Sequence, residues 1–101
     1  RFTPQEAGKY FIMANLYGTF SATVPSSWTY AVYKNGSKYV EVAYYTYGTN
    51  SGLVYVHNVH AIVDMNGSSD YIEIYARSDQ NGTYIDQNAT DTNVQGFKII
   101  T

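Results

Sequence analysis

The sequence predicts an all-β sandwich, and three observations carry that prediction. Aromatic residues make up 17% of the 101-residue chain, twelve of them Tyr, and with Val, Ile and Thr they suit a half-buried pleated surface. Turn pairs punctuate the chain, among them Asn35-Gly36, Asn66-Gly67 and Asn81-Gly82, as they do between the short strands of a sandwich or barrel. No helical apolar period persists, because Gly, β-branched residues and Tyr interrupt every candidate window. A chain of this length builds one domain, 1–101, around one core.

Strands are expected near 9–17, 28–34, 38–47, 53–65, 70–78 and 93–100, with a short edge piece at 1–3 ahead of Pro4. The first strand carries Lys9-Tyr10-Phe11-Ile12-Met13-Ala14. Side chains alternate faces along a strand, so Tyr10 and Ile12 point one way and Phe11 and Met13 the other. A strand with one wet face should alternate apolar with polar. This one does not, and Leu53-Val54-Tyr55-Val56 and Phe97-Lys98-Ile99-Ile100 nearly repeat the behaviour. The chain is long enough for two thin sheets but not for three layers. Its second apolar face is therefore expected to meet another copy.

The next two strands read as a hairpin. Asn35-Gly36 separates two β-rich runs, and both central positions of such a turn need positive φ, which Asn and Gly tolerate best. Further on, Ile72 and Ile74 alternate with Tyr71, Glu73 and Tyr75, giving one buried and one amphipathic face. The stretch 79–93 is rich in Asp, Asn, Thr and Gln and reads as a long exposed loop.

Composition excludes several function classes. The net charge is −2, and the six Lys and Arg are scattered, so no basic stripe awaits nucleic acid. Charged residues are only 14% of the chain. The absence of Cys removes disulfides, thiolate catalysis and Cys-ligated zinc together. No apolar run approaches the roughly 18 residues of a membrane helix, and membrane insertion is not expected. The chain opens at Arg1 and enters a structured-looking segment at once, which reads as the C-terminal module of a longer protein.

Four segments resemble the tumour-necrosis-factor and complement globular-head superfamily. Gly8-x-Tyr10-x-Ile12 resembles its opening strand, and Lys34-Asn35-Gly36 its lysine-asparagine-glycine hairpin. Asp70-Tyr71-Ile72-Glu73-Ile74 is similar to its Gly-Asp-x-Val strand, with Ser68-Ser69 separating Gly67 from Asp70. Val94-Gln95-Gly96-Phe97-Lys98-Ile99-Ile100 resembles its closing strand, with Val94 where that family has Phe. Order and spacing both match. The resemblance implies a jelly-roll β-sandwich of two antiparallel sheets that assembles as a homotrimer. It implies Tyr10 and Ile12 between the sheets, and Phe11, Met13 and Val94 against neighbouring subunits. Cys-free, Asn/Thr/Gly/Tyr-rich versions resemble modules of bacteriophage fibres and head appendages. That favours a fibre tip, head fibre or capsid decoration on a virion, binding a host-surface glycan or protein. The alternatives are a secreted complement-like or cytokine-like recognition head and a carbohydrate-binding module.

The chemistry-bearing residues give no catalytic pattern, and no enzyme is expected. His57 and His60 are three apart, which on a strand sends them to opposite faces and denies them a shared metal ion. The eight carboxylates suggest no acid–base pair across a cleft, and no Ser sits in a Gly-x-Ser-x-Gly setting. No cofactor is expected. Asp79 to Asp91 is as oxygen-rich as a Ca²⁺ loop, but Gly82 stands fourth rather than sixth and Thr90 occupies the place of the Glu. Asn35, Asn66, Asn81 and Asn88 begin Asn-x-Ser/Thr sequons; three of them are Asn-Gly turns that hairpin geometry explains without glycans. Tyr44, Tyr45 and Tyr47 run into the polar stretch Gly48-Thr49-Asn50-Ser51-Gly52. Tyr pairs a ring with a hydroxyl at low entropic cost, which makes these three the candidates for ligand binding.

Overall fold

Strand β1 (Ala7–Phe20) organises the molecule. Its 14 residues, at about 3.3 Å each, account for the 47 Å long axis. The computed structural model describes residues 1–20, 27–45, 55–79, 83–85 and 92–99. The remaining strands are β2 (Ser27–Lys34), β3 (Ser37–Tyr45), β4 (Tyr55–Asn66), β5 (Ile72–Ser78), β6 (Thr83–Ile85) and β7 (Asn93–Lys98).

Two antiparallel sheets result. In the first, β4 pairs with one edge of β1 from Ala7 to Gly18. The other edge is shared, β7 taking residues 10–15 and β6 taking 18–20. In the second sheet the order is β3-β2-β5. The sheets pack face to face as a β-sandwich compatible with a jelly-roll-like arrangement, with the first and last strands side by side. The stretch expected to be a long loop thus contains a strand, β6. The edge piece expected at 1–3 is a single bridge, Phe2 to Ile72, with both backbone hydrogen bonds at 2.9 Å.

The core follows the two-residue period. From the first sheet come Tyr10, Ile12, Ala14 and Leu16 on β1 and Val59, Ala61, Val63 and Met65 on β4; from the second come Trp28, Tyr30, Val32 and Ile72. Tyr10 and Ile12 lie between the sheets. The Tyr10 hydroxyl donates to the Glu6 carbonyl at 2.9 Å, so its polar tip is satisfied. Burial pushes the Tyr30 hydroxyl up to about 12, because the ionised form loses its hydration there.

One end of the sandwich is tied by polar side chains. Asn35 and Gly36 take positive φ, 51° and 81°, and close the β2–β3 hairpin as its two central residues. Asn35 Oδ1 accepts from Tyr71 N at 2.9 Å, and its amide donates to Asp70 at 2.8 Å. Asn66 Oδ1 accepts from the backbone of Ser68, Ser69 and Asp70. Lys34, on the second sheet, donates to the Asp64 carbonyl of the first at 2.6 Å and faces Asp70 at 3.6 Å. The Asn35 amide, then the Asn66 backbone N–H and Lys34, hold the Asp70 carboxyl below its ordinary value.

Candidate functional site

The outward side of the first sheet is set by parity along β1. Tyr10, Ile12 and Ala14 are spent on the core, so Lys9, Phe11, Met13 and Asn15 face away from it. The register lines them up with their neighbours in four rows across β4, β1 and β7. The first is an ion pair, Lys9 to Asp64 at 2.8 Å; its hydrogen bond and charge raise the Lys9 ammonium above its ordinary value. The second is Ile62–Phe11–Phe97, apolar throughout. The third is His60–Met13–Gln95. The fourth is an amide ladder, with Asn58 donating to Asn15 at 2.8 Å and Asn15 to Asn93 at 3.3 Å.

The apolar row is open. Phe97 is 63% exposed and Ile62 54%, while Phe11 and Met13 are half-buried by their neighbours. Phe11 lies against Phe97 with ring centroids 5.4 Å apart and against His60 at 6.0 Å. Gly96 lets β7 come this close, since a Cβ there would meet the Phe11 carbonyl oxygen at 2.7 Å. A bar of hydrocarbon therefore crosses three strands between an ion pair and a ladder of amides. The Lys9–Asp64 pair borders it on one side and His60 and Gln95 on the other, while Ile62, Phe11 and Phe97 themselves carry no polar side-chain group.

Val94 does not belong to this bar. It pairs with Ala14, on the side of β7 turned toward the second sheet. There it is 56% exposed and lines a cleft of about 620 Å³ between β7 and β5 with Ile12 and Ile74. The structure brings Phe11 and Met13 together and places Val94 on the opposite face. In their place Phe97 and Ile62 complete the surface. Sequence parity held that signal for Phe97, because 94 and 97 lie an odd number apart.

Tyr44 and Tyr45 end β3 opposite Trp28 and Ser27 in the backbone register. Their side chains, and the whole of Tyr47, lie outside the described residues, as do 80–82 and 86–91 of the oxygen-rich stretch. His57 and His60 pair with Leu16 and Met13, residues from the two faces of β1. Among the described residues, no group of three His, Asp or Glu is placed to hold a metal ion.

The other outward face, on β3-β2-β5, is different. Tyr33 and Tyr75 meet across β2 and β5 with centroids 4.5 Å apart and rings tilted by 48°. A register shift between Val32 and Tyr33 leaves Tyr39 as the extra residue on β3, while the β2–β5 register runs through Tyr33 unbroken. Beside the rings a depression of about 140 Å³ is floored by Ala31 and walled by Lys38, Glu41 and Arg77. Glu41 pairs with Lys38 and raises its ammonium above the ordinary value.

Comparison with known proteins gives no match to a family model, to a curated protein or to a solved structure.

Proposed function

We propose that the chain is a non-enzymatic module that assembles as a homotrimer through the outward face of the β4-β1-β7 sheet. In this reading it is a structural and adhesive part of a virus particle, such as a fibre tip, head fibre or capsid decoration, that meets a host-surface glycan or protein. One observation carries the assembly: the row Ile62–Phe11–Phe97 stands open on a sheet whose other face is already spent on the core. Burying one large apolar side chain contributes roughly 1.5–3 kcal/mol. Three copies that each cover this row with a neighbour would gain that contribution several times over, enough to offset the entropy of association. The number three and the particle setting rest on the resemblance of four segments to the trimeric superfamily and on the Cys-free, Tyr- and Asn-rich composition.

The assembly is tested by sedimentation over a dilution series. A single species of three chains that persists to low micromolar concentration supports the reading. A species of one chain across the whole series rejects it.

A further inference from the structure

We propose that the outward face of the β3-β2-β5 sheet binds a saccharide ring bearing one carboxylate, in the depression between Tyr33, Tyr75, Glu41 and Arg77. Its floor is the first sign of a formed site. Ala31 pairs with Glu41 on one side and Tyr75 on the other, faces away from the core, and is nonetheless only 3% exposed. Taller side chains stand around it and leave a hollow the size of one six-membered ring, about 140 Å³. Those side chains rise from paired strands, so the hollow is fixed by the sheet rather than by a loop.

The walls select the ligand. Tyr33 and Tyr75 form a corner of two rings, and Tyr75 keeps 49% of its surface open. Aromatic faces of this kind pack against the C–H faces of a sugar while the phenol hydroxyls bond to its polar edge. Across from them, Lys38 and Glu41 offer donors and acceptors to hydroxyl groups at the rim, and Thr29 adds a hydroxyl.

Charge then narrows the class. Lys38 is neutralised by Glu41, and Glu73, on β5 with Tyr75 and Arg77, faces Arg1 at 3.9 Å. Among the described residues, no ion pair engages Arg77. The hollow therefore holds one uncompensated positive charge, on the side chain whose planar fork suits a carboxylate. A neutral sugar would leave that fork to water. A simple anion would leave the rings uncovered.

The inference rests on the recognition half of the function proposed above and not on its assembly half, so mass measurements test the one and ligand titration the other. The experiment is amide NMR on the intact chain, titrated in parallel with glucuronate, glucose and acetate. Saturable shifts centred on Ala31, Tyr75 and Ala76 are expected with glucuronate. Glucose and acetate should each bind about tenfold more weakly or worse, since each lacks one of the two recognised features. Arg77→Gln should remove the preference for glucuronate over glucose, and Tyr75→Ala should weaken both sugars; the same spectra report whether each variant is folded. No saturable shift with glucuronate overturns the proposal. So does acetate binding as tightly as glucuronate, or an Arg77→Gln variant that keeps the wild-type preference.

Discussion

On the outward face of the four-stranded sheet, Phe97 and Ile62 stand open beside Phe11 with no charge in their row. On the outward face of the three-stranded sheet, Tyr33 and Tyr75 are ringed by Lys38, Glu41 and Arg77. Both faces draw on aromatic residues at alternate strand positions, and both surround them with polar groups. They differ in where the polar groups stand. On the first sheet, Lys9 pairs with Asp64 and the Asn58–Asn15–Asn93 ladder bonds within itself, on opposite sides of the bar, and the side chains of the bar itself carry no polar group. On the second, the charges stand within reach of the rings, and among the described residues no ion pair engages Arg77. The first arrangement suits a flat apolar partner and the second a small polar one. Aromatic content alone does not separate these outcomes; cross-strand register does.

The sharpest way to break the comparison is to charge the dry bar. Phe97→Asp replaces a side chain that is already 63% exposed in one chain, so it should leave the single domain folded. Its loss from each interface costs roughly 1.5–3 kcal/mol per copy, before the penalty of burying a carboxylate is added. The expected outcome is a folded monomer by sedimentation, with unchanged far-ultraviolet dichroism. A trimer that survives the substitution places the interface elsewhere.

Next in size is the core that both faces share. Tyr30 is neutral in the fold, its hydroxyl pushed up to about 12 by burial, whereas in the unfolded chain it ionises near 10. The fold therefore keeps its full stability below the unfolded value and loses it as pH rises toward the folded one. The loss amounts to about 2 kcal/mol by pH 12. Tyr30→Phe should flatten that alkaline slope in denaturant titrations. An unchanged slope in the variant would assign the alkaline loss to other groups.

A smaller effect separates the two faces directly. Tyr75→Ala removes one ring of the Tyr33–Tyr75 pair at a cost of about 1 kcal/mol and should leave the assembled mass untouched. A fall in mass would make the second face an interface as well.

Smallest is the acid end. Asp70 is held below its ordinary 3.8 by Asn35, the Asn66 backbone and Lys34. Its contribution is present above that value and fades as pH falls through the lower folded one. Asp70→Asn should flatten the midpoint shift of unfolding below pH 4 without changing either face. If wild type and variant lose stability in parallel there, Asp70 is not the group that titrates.

The fold was legible wherever the signal is local. The Asn35-Gly36 hairpin follows from two residues that tolerate positive φ, and the core assignments of Tyr10, Ile12, Ile72 and Ile74 follow from alternation within one strand. Strand β6 gave no such signal. Its three residues lie in a polar stretch, and they pair because β7 leaves residues 18–20 of β1 uncovered. The surface was half legible for the same reason. Phe11 and Met13 could be read from β1 alone, but their meeting with Phe97 and Ile62 depends on the registers of β1 with β7 and β4. The resemblance grouped Val94 with Phe11 and Met13, whereas pairing with Ala14 turns it toward the cleft. Tyr33 and Tyr75 are far apart in sequence and become neighbours only through the β2–β5 register. Tyr44, Tyr45 and Tyr47, by contrast, form a cluster within four residues that the sequence alone displays.

The open apolar row carries the proposed assembly, and the mass of the wild-type protein in solution interrogates it most directly. Static light scattering behind size-exclusion chromatography at micromolar concentration should report three times the 11.3 kDa of one chain. A stable particle of a single chain's mass would contradict the account.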